Sequence, residues 1–263
     1  MQQTQTINTI LDSIVTFISA IFAKTGKQKA VIAVSGGIDS AVSVTATVRA
    51  LGSQNVFPVL LPYGEQDMTD AKEVLRFNGI DESQWHEINI KEVVDTIAAI
   101  RQASSDDIRL GNIMARTRMI MVFDIAKQLD ALVCGTENKS EKYLAYFTRF
   151  GDEASDLEPL QDIYKTQIRE LAAFLQIPQS IQTKAPSAGL WQDQTDETEL
   201  GFTYEEADRV LGHYIDGGVE DIQKITQATG ISQATVERVI ARVKSQHFKH
   251  EVPYTFTIEG MLE

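Results

Sequence analysis

Short apolar runs that alternate with helix-period segments constrain this chain more than any other feature. Ala30–Val34 reads AVIAV, Val56–Leu61 reads VFPVLL and Ala131–Cys134 reads ALVC. A run this short without polar alternation is a strand buried on both faces. Trp85–Ile90 alternates and reads as a further strand. Between them lie Ala41–Leu51, stopped by Gly52, then Asp70–Phe77, ended by Gly79, then Glu92–Ile100 and Arg109–Leu129, all with helical spacing. Strands separated by helices demand parallel pairing through right-handed crossovers. The expected fold is α/β, a doubly wound, mostly parallel sheet. Ahead of it, Ile7, Ile10, Leu11, Ile14, Phe17, Ile18, Ile21 and Phe22 recur as one face of an amphipathic helix that ends near Gly26.

After Gly135 the texture changes. Residues 136–163 are polar and loop-rich, Ile163–Leu175 is helical and stopped by Pro178, and residues 184–203 are again loop-like. Tyr204–Leu211, Val219–Thr229 and Gln233–His247 then predict three helices. The expected organisation is one domain over 1–263, with an α/β nucleotide-binding core to about residue 180 and loops plus a helical tail after it. The segment from Ser232 invites a helix-turn-helix reading. The formal net charge of −13 argues against it, because such a surface repels phosphodiester backbones.

The same charge does not exclude a nucleotide, which a few cations and backbone amides can hold locally. One cysteine, Cys134, rules out an internal disulfide and a Cys-x-x-Cys site, and its apolar setting reads as core. The N-terminal residues lack the basic, apolar and cleavage regions of a signal peptide. No uninterrupted apolar run approaches the ~18 residues of a membrane span. The expectation is a cytoplasmic protein with no membrane and no nucleic-acid partner.

The chemistry begins at Ser35-Gly-Gly-Ile-Asp-Ser40, between an apolar strand and a helix. Small residues let a ligand approach the backbone, successive amides point inward, and the helix N-terminus adds roughly half a positive charge. That is an oxyanion cradle, with Ser35 and Ser40 as extra donors. It lacks the lysine of a Walker loop, so a cation must come from elsewhere. Asp39 repels phosphate, and a magnesium ion between them resolves the conflict.

Ser-Gly-Gly-x-Asp-Ser resembles the pyrophosphate loop of the N-type ATP pyrophosphatases, which split ATP between its α- and β-phosphates. Within that superfamily the second half of the chain resembles the NAD synthetases. The segments that carry the likeness are Gly111–Arg118, Gly135–Glu141, Tyr146–Asp152, Asp156–Leu160, Tyr164–Gln167, Lys184–Trp191 and Gln194–Gly201, in that order. The likeness runs from about residue 10 to 250. It implies an adenine-nucleotide α-hydrolase-like sheet with a helical C-terminal portion. It implies that Ala33, Val34, Ser35, Gly36, Gly37, Ile38, Asp39 and Ser40 hold ATP together with Thr136, Lys165 and Ser187. Asp39 and Glu141 would bind magnesium, and Arg116, Arg149, Asp156, Phe248 and Lys249 would contact deamido-NAD.

The reaction so implied belongs to a ligase of NAD biosynthesis. The nicotinate carboxylate attacks the α-phosphate, pyrophosphate leaves, and ammonia displaces AMP. Asp39 and Lys165 are the expected catalytic residues, with Asp156 as the candidate to take a proton from ammonium. Glutamine-dependent relatives carry an amidase domain with a nucleophilic cysteine; residues 1–30 leave no room for one, so free ammonia is the expected donor. The resemblance also implies a homodimer, with the first helix and Arg109–Leu129 as candidate contact surfaces. Three departures stand out. Glu153 and its neighbours replace a glycine pair, Leu60 stands where relatives carry an arginine on the adenine side, and the tail reads His247-Phe-Lys-His250. The rivals are another N-type pyrophosphatase acting on a different carboxylate or carbonyl, and a nucleotide-binding module without turnover.

Overall fold

In the computed structural model, which describes residues 2–187, 189–190 and 194–256, the apolar runs become β1 (Ala30–Ala33), β2 (Val56–Leu60), β3 (His86–Glu87) and β4 (Leu132–Val133). They form one parallel sheet in the order β3-β2-β1-β4. Ala30 pairs with Val56 on one side and with Leu132 on the other. The helices are α1 (Gln2–Thr25), α2 (Ile38–Leu51), α3 (Thr69–Phe77), α4 (Lys91–Ile100), α5 (Asp107–Leu129), α6 (Lys139–Leu144), α7 (Lys165–Phe174), α8 (Gln179–Gln182), α9 (Asp196–Leu200), α10 (Tyr204–Leu211), α11 (Ile222–Thr229) and α12 (Gln233–Gln246).

Alternate residues of β1 enter opposite cores, as strand pleating requires. Ala30, Ile32 and Val34 join the core built with α1, α2, α3 and α7, whereas Val31 packs with Val94 of α4 and Met114, Val122 and Ile125 of α5. The sheet is covered on both faces, and the doubly wound reading holds. A third core, around Tyr204 with Leu144 of α6 and Val236 and Val239 of α12, makes the helical tail.

α1 is long and apolar enough to cross a membrane, with a mean hydropathy of 1.6 over Thr6–Thr25. Its stripe of Ile7, Leu11, Ile14, Ile18 and Phe22 is nevertheless buried in the first core.

Four departures from the sequence reading have local causes. The strand expected over Trp85–Ile90 is only two residues long. Ile88 and Ile90 still donate to the Leu60 and Pro62 carbonyls at 2.9 Å, but Pro62 has no N–H to return, so the ladder ends. α2 starts at Ile38 rather than Ala41, with Gly37 as its N-cap, so Asp39 and Ser40 lie in its first turn. α6 and α9 lie in segments expected as loops; both are too short for periodicity and are set by their caps, Asn138 and Thr195. α11 starts at Ile222 rather than Val219, because the Asp221 side chain caps Gln223 and Lys224.

Candidate active site

The chain winds from β1 outward to β2 and β3, then returns to place β4 on the other flank of β1. Such a reversal opens a crevice beyond the carboxyl ends of the strands, where doubly wound folds bind ligands. Ser35–Ser40 leaves β1 there, and Gly135–Glu141 leaves β4 there. Gly36 adopts φ +82°, and a Cβ on it would lie 2.9 Å from both the Ala71 amide nitrogen and Asp70 Cβ. Only glycine lets the loop lie this close to α3. Gly37 caps α2 without a side chain. The first-turn amides of α2 are thus left to an anion. Ser35 and Ser40 hydroxyls sit 3.3 Å apart, and Ser40 Oγ donates to the Gly37 carbonyl at 2.9 Å. Val34 is buried, and its N–H donates to Val59 O at 3.0 Å. Ala33 and Val34 therefore anchor the loop in the sheet.

Lys165 supplies the cation that the loop lacks. Its side chain is 3% exposed, and Nζ lies 2.6 Å from Asp39 Oδ2 and 3.0 Å from Glu141 Oε1. Its backbone N–H donates to Ser140 Oγ at 2.8 Å. Asn138 completes the group: Nδ2 donates to Asp39 Oδ1 at 2.8 Å, and Oδ1 caps the Glu141 amide at 3.0 Å. The capping box of α6 thus aims Glu141 at Asp39 across the crevice. Burial opposes the charge on Lys165, but Asp39 and Glu141 outweigh it, and its pKa is raised. Burial pushes the Glu141 carboxyl above its ordinary range, against the pull of Lys165. Thr136 is half-buried just beyond β4. Ser187 is exposed, with Oγ accepting from the Gly189 amide at 3.1 Å. Its loop is hooked back by Lys184, whose Nζ lies 2.6 Å from Oδ2 of Asp70, the residue packed on Gly36. Trp191, at the end of that segment, lies outside the described residues.

A second group gathers where α5, the turn at 145–150 and the tail meet. Arg116 Nε donates to the Arg149 carbonyl at 3.2 Å, and the Arg149 guanidinium lies 5.7 Å from the Phe248 ring centroid. Lys249 Nζ donates to the carbonyls of Ala145 and Phe147 at 2.8 and 2.9 Å. Four of the five residues expected at the dinucleotide thus adjoin one another. The fifth, Asp156, is exposed beside β4, with Oδ2 accepting the Val133 amide at 2.7 Å. Glu153 turns back onto the Phe150 amide at 3.2 Å. Leu60 is wholly buried, while Arg118 donates to the Leu61 carbonyl at 3.1 Å and places a guanidinium beside that strand end. Cys134 is buried, and burial pushes its thiol up to about 12, so it is no nucleophile.

Sequence reasoning passed over Asn138, Glu137 and Glu158. Asn138-x-x-Glu141 has the spacing of a capping box, a signal that was there to be read. Nothing in the sequence places Glu158 beside Glu137.

The chain matches the family described as NAD synthase over residues 10–253. It is 41% identical over 252 residues to the NH(3)-dependent NAD(+) synthetase of Pyrococcus furiosus, covering 95% of this chain and 96% of that one.

The chain belongs to the NAD synthase family.

Solved structures of similar shape include an NMN synthetase from Francisella tularensis, with TM-score 0.82, 32% identity and coverage of 96% of this chain and 99% of that one. An NH3-dependent NAD synthetase from Campylobacter jejuni, solved with a nitrate ion, gives TM-score 0.78 and 26% identity, covering 95% and 99%. As a member of the NAD synthase family, this protein is an ATP-using ligase that joins carbon to nitrogen.

Proposed function

We propose that this chain amidates the nicotinate carboxylate of deamido-NAD with ammonia, using ATP and releasing NAD, AMP and pyrophosphate. The observation that carries the reading is Lys165 held between Asp39 and Glu141 at the mouth of the phosphate loop. The names borne by relatives over nine-tenths of the chain support the same substrates.

The chemistry is positioning and charge neutralisation. The α2 amides and the Ser35 and Ser40 hydroxyls hold the phosphates, and Lys165 offsets the charge that builds on the departing pyrophosphate. Arg116 and Arg149 face the acidic parts of the dinucleotide, and Phe248 offers a ring on which a base can stack. Asp39 and Glu141 are two hard-oxygen donors and suit magnesium. Among the described residues, no group of three His, Cys, Asp or Glu side chains could hold a metal. Phosphate oxygens and water would therefore complete the shell. When bound, the ion supplies positive charge at the phosphates that Lys165 alone does not.

A single domain acting as a cytoplasmic homodimer, on neither membrane nor nucleic acid, completes the proposal. Ile100 at the end of α4, with Ile108 and Ile120 of α5, are exposed apolar residues that a symmetric partner would cover. The second reading, transfer to a nicotinate mononucleotide, is favoured only by the likeness to the Francisella protein.

The test is product analysis with ATP, magnesium, ammonium and either acceptor. NAD, AMP and pyrophosphate, with deamido-NAD preferred over the mononucleotide by at least about tenfold in kcat/KM, support the proposal. The reverse preference would move the assignment to the mononucleotide.

A further inference from the structure

A second pair of carboxyl groups lies beside the phosphate site without a cation. Glu137 follows Thr136 in the turn out of β4 and is 7% exposed. Its Oε2 accepts from Gln161 Nε2 at 3.0 Å. Its Oε1 is sealed from solvent and meets no donor. Glu158 lies against it: Oε2 accepts the Glu137 amide at 3.1 Å, and Oε1 accepts from Ser155 Oγ at 2.7 Å. The Glu158 carboxyl fills the space where a side chain at position 135 would be, 1.8 Å from the Cβ that Gly135 lacks. The neighbouring ammonium, Lys142 Nζ, is taken up by Gln161 Oε1 at 3.1 Å. Glu141 and Asp152 add negative potential to both carboxyls. Burial pushes Glu137 and Glu158 up to about 8 each.

A buried carboxylate requires a proton or a cation. Lys165 meets that need for Asp39 and Glu141. Among the described residues Glu137 and Glu158 have hydrogen-bond donors but no cation, and Glu137 Oε1 has no hydrogen-bond partner. A small cation with several donors matches this vacancy of charge, and the proposed reaction consumes one: ammonium.

We propose that Glu137 and Glu158 form the ammonium-docking site, with the unpartnered Glu137 Oε1 accepting the proton that leaves ammonium before attack. The inference deepens the amidation reading and rests on it. One N–H bond of ammonium breaks and an O–H bond forms on Glu137. The freed lone pair makes the carbon–nitrogen bond, the carbon–oxygen bond to AMP breaks, and AMP departs with that electron pair as its phosphate. The adduct nitrogen gives its surplus proton to water. Glu137 thus takes the proton role that the sequence suggested for Asp156.

The two half-reactions separate the tests. Deamido-NAD-dependent exchange of pyrophosphate into ATP reports adenylate formation without ammonia. Amide formation is then measured with ammonium chloride and with hydroxylamine, a nucleophile that is uncharged at neutral pH. In Glu137→Gln and Glu158→Gln we expect the KM for ammonium to rise at least about tenfold, the loss of one charge-assisted hydrogen bond. Exchange stays within about twofold, and hydroxylamine turnover falls far less than ammonium turnover. Unchanged ammonium KM in both variants, or equal losses with both nucleophiles, would overturn the docking site. Exchange lost in the variants would also overturn it, because the pair would then serve adenylation. Exchange absent from the unaltered protein would overturn the amidation reading itself.

Discussion

Two acidic pairs flank the turn that leaves β4, and they are neutralised in different ways. Asp39 and Glu141 come from the two sides of the crevice and share the Lys165 ammonium at 2.6 and 3.0 Å. Glu158 accepts from the Glu137 backbone N–H and the Ser155 hydroxyl, and Glu137 accepts from the Gln161 side-chain amide rather than from an ammonium. The first pair has an internal counter-ion, buried between the two carboxyls. Burial pushes the second pair up to about 8, because no internal cation offsets its charge. Burial alone therefore does not define a carboxylate's role; the partner that the fold supplies or withholds does.

The largest test removes the internal counter-ion. Lys165→Met leaves two buried carboxylates facing each other. Taking one partner from a buried ion pair costs about 3–5 kcal/mol of stability. We expect kcat to fall by about a thousandfold or more, because the charge on the pyrophosphate is no longer offset. Urea unfolding and steady-state rates measure the two effects. Turnover within tenfold of the unaltered protein would break the comparison.

The second pair should respond with the opposite sign. Burial pushes the Glu137 carboxyl up to about 8 in the fold, against its usual 4.5. Between those values the folded state holds more protons than the unfolded one, so stability falls as pH rises through that window. Glu137→Gln cannot ionise. It should unfold like the unaltered protein near pH 4.5 and be more stable at pH 8–9 by about 4 kcal/mol. Melting temperatures across a pH series follow this, and a variant less stable at pH 9 would contradict the assignment.

The smallest test concerns the packing that seats Glu158. Gly135→Ala places a methyl group in the volume of that carboxyl, whose flexible end can shift, so about 1 kcal/mol is expected. In a Glu158→Ala background the same change should cost less, and a double-mutant cycle reads the difference. Equal costs in both backgrounds would show that the carboxyl does not occupy that space.

The parallel sheet was legible because strands such as Ala30–Val34 are buried on both faces and carry no competing pattern. Ser35–Ser40 was legible because glycine and small hydroxyl residues leave few alternatives between a strand and a helix. α6 was not, since six residues show no period; a single capping asparagine sets it, and that asparagine also aims Glu141. The strand over Trp85–Ile90 was overextended because Pro62, just beyond the end of β2, acts on it. The approach of Glu158 to Gly135 spans 23 residues and depends on the parallel contact of Leu157 with Cys134. Local sequence carries no signal for such a meeting.

The central claim, transfer through an acyl-adenylate, is tested most directly by heavy oxygen in the nicotinate carboxylate of deamido-NAD. With ATP, magnesium and ammonium, the account predicts one labelled oxygen in the AMP phosphate and none in pyrophosphate. Unlabelled AMP, or ADP and phosphate in place of AMP and pyrophosphate, would contradict it.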